Sequence, residues 1–124
     1  MRQKTVLVAE DDPQTLQLLS RLLKSRGYNS LLASDGDVAL ALFEQHRDAI
    51  DLLLFDVLMP RMDGYTCAKQ IRAQRPDLPV LFISGYSNED MNEQIATWPR
   101  CVFVSKPLHI ALLATQLDWM FLSE

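Results

Sequence analysis

Glu10 and Asp11 stand side by side, Asp56 follows an unbroken apolar run, and Ser84 and Lys106 each lie at the end of another. Three carboxylates drawn into one cleft repel one another, and the crowding raises a pKa unless a cation neutralises it. Oxygen donors of this kind suit a hard divalent cation, Mg²⁺ or Mn²⁺. A lysine ammonium and a serine hydroxyl are donors fitted to hold a phosphoryl oxygen. A carboxylate is also a nucleophile toward phosphorus, giving an aspartyl phosphate. The set as a whole suits metal-assisted phosphoryl transfer, which depends on positioning and charge neutralisation. Asp56 is the best nucleophile because it stands alone, whereas Glu10 and Asp11 are paired for the metal. Three acids against one lysine leave such a cleft about two charges negative, which one divalent cation balances.

That chemistry requires elements that bring these residues together. Apolar runs recur at Thr5–Ala9, Asn29–Ala33, Asp51–Phe55, Pro79–Ser84 and Cys101–Ser105. Val6–Val8, Leu52–Phe55 and Val80–Ile83 are apolar at consecutive positions, the pattern of strands covered on both faces of a parallel sheet. The run at 29–33 is weaker and reads as an edge. Between the runs lie helical spacings. Asp12 caps a helix opened by Pro13 and ended at Gly27, with Leu16, Leu19 and Leu23 as its inward stripe. Asp35–Gln45 carries Val38, Leu42 and the neighbouring Ala39, Ala41 and Phe43, and Gly64–Gln74 carries Ala68 and Ile71. Asn88–Thr97 is short and polar, with Met91 and Ile95 a turn apart. Pro107–Leu122 places Leu113, Leu117 and Phe121 at fourfold spacing. Five strands alternating with five helices predict a doubly wound α/β sheet with helices on both faces. In such sheets ligands sit outside the carboxyl ends of the strands, so Glu10, Asp11, Asp56, Ser84 and Lys106 are expected to converge there.

Composition narrows the partners. The 124 residues predict a single domain, 1–124. Sixteen acidic against twelve basic residues give a net charge of -4, which disfavours generic binding of nucleic acid or anionic lipid. No apolar run approaches the ~20 residues of a membrane span, and no signal-peptide core opens the chain. Cys67 and Cys101 form no CxxC and read as reduced core residues, which points to a cytoplasmic protein. Neither GxxxxGK[ST] nor GxGxxG is present, which disfavours nucleotide binding.

Four segments carry a resemblance: VLVAEDDP at 6–13, DLLLFDVLMPRMDGY at 51–65, VLFISGY at 80–86 and FVSKPL at 103–108. With them the chain resembles, over essentially its whole length, the receiver domains of two-component response regulators. The spacings, 46 residues from Glu10 to Asp56 and 50 from Asp56 to Lys106, suit that family. The resemblance implies a flavodoxin-like strand order 2-1-3-4-5. It implies that Asp56 takes a phosphoryl group from a histidine kinase or histidine phosphotransfer domain. Glu10, Asp11, Asp56 and the backbone carbonyl of Leu58 then bind Mg²⁺, Ser84 and Lys106 contact the phosphoryl oxygens, and Ser84 and Phe103 form the switch. It also implies a cis Lys106–Pro107 bond, and an output domain or homodimer contact through the fourth helix, fifth strand and fifth helix. The Ile83–Ser87 stretch is similar to receivers of hybrid kinases.

Bland readings stand beside these. Asp12 reads equally as a helix cap, Ser84 alone as a turn serine, and His46 and His109 as solvent-facing. Leu18 is a candidate for donor docking or for a half-buried packing role, and Trp119 for a partner surface or for packing under the chain end. Three departures from the family matter. Glu10 replaces the commoner Asp, Phe103 lacks a tyrosine hydroxyl, and Leu58 and Tyr86 occupy the positions two beyond Asp56 and Ser84. Leu58 offers no group to position a hydrolytic water. A phosphatase or mutase using an aspartyl phosphate usually carries a second carboxylate where Leu58 stands. A flavin carrier would need a phosphate loop where Glu10–Asp12 would repel one. The remaining alternative is a receiver-fold interaction module that is not phosphorylated.

Overall fold

A computed structural model describes residues 3–85 and 89–122, with side chains of the fourth helix described from Glu93 onward. Strands β1 (Thr5–Ala9), β2 (Asn29–Ala33), β3 (Leu52–Asp56), β4 (Val80–Ser84) and β5 (Cys101–Ser105) form one sheet. They alternate with α1 (Pro13–Ser25), α2 (Gly36–His46), α3 (Gly64–Gln74), α4 (Glu89–Ala96) and α5 (Ile110–Leu122). All pairings are parallel and the order is β2-β1-β3-β4-β5, as expected.

The consecutive apolar residues of the inner strands are explained by the two packed faces. Leu7, Leu53, Phe55, Val80 and Phe82 point toward α2, α3 and Ile95 of α4. Val6, Val8, Leu52, Leu54, Leu81 and Ile83 point toward Leu19 and Leu23 of α1 and Leu113 and Leu117 of α5. Each aliphatic side chain removed from water in this way contributes about 1.5–3 kcal/mol. β2 and β5 are the edges, and both are only partly covered.

Helix boundaries follow local chemistry. Asp12, Asp35 and Asp63 cap α1, α2 and α3 by accepting the backbone N–H of Thr15, Val38 and Thr66. Gly27, at φ 82°, takes the left-handed conformation that ends α1. Two expectations need correction. α5 starts at Ile110 rather than Pro107, because the segment after β5 first turns through the cis Lys106–Pro107 bond. His109 then accepts the Leu112 N–H at its Nδ1 (3.4 Å) and the Leu113 N–H at its carbonyl (2.9 Å). On α2 the buried face is Gly36, Ala39 and Phe43, while Val38 points outward. Asn88, Tyr86 and the side chain of Met91 lie outside the described residues.

Candidate functional site

The carboxyl ends of β1, β3, β4 and β5 place Glu10, Asp56, Ser84 and Lys106 around one cleft, as a parallel sheet requires. Glu10 follows β1 directly, and its N–H is bound to the Ala33 carbonyl at 3.0 Å. Its carboxylate is fully buried. Asp56 ends β3 and is 4% exposed. Its Oδ1 accepts the Leu58 N–H at 3.1 Å, a local turn that fixes the carboxylate plane. Lys106 Nζ lies between the two acids, donating to Glu10 Oε1 at 2.8 Å and to Asp56 Oδ2 at 3.0 Å. Its backbone N–H donates to the Ser84 carbonyl at 2.8 Å, which ties the ends of β4 and β5 together. Ser84 is itself buried.

Asp11 is exposed at the rim, and one carboxylate oxygen each from Glu10, Asp11 and Asp56 lie within 4.8 Å of one another. Hard oxygens so close can hold a small divalent cation. The electrostatics agree with that need. Burial, and then the neighbouring Asp56, push the Glu10 pKa up to about 7, with Lys106 only partly opposing them. Burial works against the charge of Lys106, but its bonds to Glu10 and Asp56 outweigh this and raise its pKa. Asp12 is drawn away from the cluster: its Oδ2 accepts the Thr15 hydroxyl at 2.6 Å, so it serves as the α1 cap.

The loop after Asp56 is held from two sides. A Cβ on Gly64 would overlap the Asp56 carbonyl oxygen, so only glycine lets α3 start this close to the acid. The Gly64 N–H also donates to the Val57 carbonyl at 2.8 Å. On the other side Arg61, in the left-handed region at φ 69°, reaches Asp35 Oδ2 at 3.3 Å. Asp35 was visible in the sequence as the start of α2, but its pairing with Arg61 had no sequence signal. The outer candidates sit apart. Phe103 packs half-buried against the α3–α4 side of the core, paired in register with Phe82. Leu18 (41%), Leu58 (50%) and Trp119 (59%) are exposed, as are His46 and His109. Cys67 is buried and Cys101 half-buried, both are free, and burial raises both thiol pKa values.

Residues 6–118 match the family described as the response regulator receiver domain. The chain belongs to that family. This receiver domain is 34% identical over 116 residues to the sensor kinase CckA of Brucella abortus (strain 2308), covering 94% of the chain and 12% of CckA. It is 29% identical over 120 residues to the response regulator receiver protein CpdR of the same strain, covering 97% of the chain and 98% of CpdR. Among solved structures, the CheX–CheY–BeF3–Mg²⁺ complex of Borrelia burgdorferi contains a chain with a TM-score of 0.87 and 28% identity. That match covers 95% of this chain and 89% of the other. The receiver domain is thus a signalling domain of two-component systems, and its acidic cluster has the composition of a metal site. Among the described residues no helix is long and apolar enough to cross a membrane.

Proposed function

We propose that Asp56 accepts a phosphoryl group from a phosphohistidine on a histidine kinase or histidine phosphotransfer domain. The observation that carries this reading is the buried Asp56 carboxylate, bridged to Glu10 by Lys106 with Asp11 at the rim. An oxygen of Asp56 attacks phosphorus as the phosphorus–nitrogen bond breaks, the electron pair returning to the imidazole. Glu10, Asp11, Asp56 and the Leu58 carbonyl would hold Mg²⁺ or Mn²⁺. Once bound, the cation would neutralise charge on the phosphoryl oxygens. Lys106 supplies a second positive charge to those oxygens, and Ser84 a hydroxyl donor. Phe103 responds through packing, since its ring carries no hydroxyl.

Residues 1–124 act as one receiver unit in the cytoplasm. Its output is an altered surface formed by α4, β5 and α5, offered to an output domain or to a second copy. Incubation with a small phosphodonor and Mg²⁺, read by intact mass, tests the chemistry. The expected result is a gain of one phosphoryl group that is absent without Mg²⁺ and in Asp56→Asn. No gain with any donor would return the chain to the class of unphosphorylated interaction modules.

A further inference from the structure

The turn that follows α4 is fastened to α3 by aromatic side chains. The Tyr65 and Trp98 rings stack with centroids 5.2 Å apart and planes at 27°. The Arg72 guanidinium also lies against the Trp98 ring, 5.1 Å from its centroid. Phe82 of β4 adds a tilted contact to each aromatic, 6.4 Å from Tyr65 and 5.9 Å from Trp98. The Tyr65 hydroxyl donates to Gln94 Oε1 of α4 at 2.6 Å. Aromatic pairs in such geometries contribute about 0.5–1.5 kcal/mol beyond their buried area.

Two further features give this clasp a place in the switch. Tyr65 directly follows Gly64, whose backbone is pressed against the carbonyl of Asp56, so a shift of the loop after Asp56 is passed to Tyr65. On the other side of α4, a hollow of about 220 Å³ lies between Ile95 and Ala96 of the helix and Cys101 and Phe103 of β5. The C-terminal end of α4 is therefore tied to α3 through Gln94 and through Trp98 just beyond it, and a hollow lies on its β5 side. The hollow opens to the surface, so the end of the helix can shift toward β5 without displacing packed side chains.

We propose that Tyr65, Trp98 and Gln94 form a latch that holds α4 in its resting position, and that phosphorylation of Asp56 works against this latch. The inference rests on Asp56 being the phosphoacceptor. Contacts present in the resting state and lost in the active one oppose the ligand that drives the change. Removing them must therefore tighten binding of a phosphoryl analogue, by about fivefold for each 1 kcal/mol of coupling.

The test uses Mg²⁺ with beryllofluoride on a Trp119→Phe background, where Trp98 is the sole tryptophan. Bound beryllofluoride is monitored by fluorine NMR and the latch by Trp98 emission. Emission should change as beryllofluoride saturates the protein, because Tyr65 leaves the indole. Tyr65→Phe keeps the ring but loses the bond to Gln94, and Gln94→Leu on the exposed face of α4 removes the same bond. Both should lower the half-saturating beryllofluoride concentration about fivefold. Saturation with unchanged Trp98 emission overturns the latch, as does unchanged or weaker binding in both variants. Absence of any bound-beryllofluoride signal removes the phosphoacceptor reading and the latch with it.

Discussion

At the residue scale, a nucleophilic carboxylate needs to be fixed without being neutralised. Asp56, the proposed nucleophile, meets this through one bond from the Leu58 N–H and one from Lys106, each to a different oxygen. Residue type and position at strand ends made Glu10, Asp56, Ser84 and Lys106 legible in the sequence. Which acid Lys106 touches was not legible, because it depends on where the ends of strands 96 and 50 residues apart come to rest. It touches both. On the proposed reading, the residue that would govern the fate of the acyl phosphate lies just beyond. Leu58 is half exposed at the mouth of the cleft and has no group to orient an attacking water. Leu58→Asn supplies an amide there. If that amide lowers the hydrolytic barrier by about 1.4 kcal/mol, the phosphorylated form is lost about tenfold faster. Decay followed by intact mass checks this, and equal or slower loss in the variant would contradict it.

At the element scale, the periodicity of α5 identified its inward stripe but not the contact that fixes its far end. Leu113 and Leu117 are buried as their spacing required, and Met120 and Ala114 join them. Asp118, one residue beyond Leu117, looks like a solvated acid in the sequence. In the fold it accepts from the Tyr28 hydroxyl and pairs with Arg26 where α1 leads into β2. Phe121 lies against the Tyr28 ring, 4.9 Å between centroids. These partners are about 90 residues away, beyond the reach of local patterning. Partial burial opposes the charge of Asp118, but the bonds from Tyr28 and Arg26 outweigh it and lower the pKa. A lowered folded-state pKa gives stability that is present above the unfolded value, near 4, and lost as pH falls through the folded one. Asp118→Asn should cost about 1 kcal/mol at pH 7, a Tm drop of about 4 °C. The gap between variant and parent should narrow as pH falls from 3.8 through the lowered folded-state value. Thermal melts across that range decide it, and a gap that persists in acid would assign the effect to packing instead.

At the scale of the whole molecule, the parallel sheet gathers acids from distant parts of the chain at the carboxyl ends of its strands. The net charge of -4 is modest, but three of the acids share one cleft with a single lysine. Folding therefore confines charge that the unfolded chain keeps apart, and the cost falls on Glu10, the most buried member. Its pKa rises from 4.5 to about 7, chiefly through burial. A raised folded-state pKa contributes stability that is full below about 4.5 and is lost as pH rises through about 7. The cation-free protein should accordingly melt at a lower temperature at pH 8 than at pH 6. A divalent cation that binds only the folded state adds about 2.7 kcal/mol at a hundredfold excess over its Kd, a Tm gain of about 10 °C. Because the cation competes with the Glu10 proton, this gain should be larger at pH 8 than at pH 6. Glu10→Gln removes that proton, so most of the pH dependence of the Mg²⁺ effect should disappear with it. Melts at the two pH values, with Mg²⁺ and with chelator, separate the cases. An equal Mg²⁺ gain at both pH values, or a pH dependence retained in Glu10→Gln, would mean that the cleft does not couple cation binding to this acid.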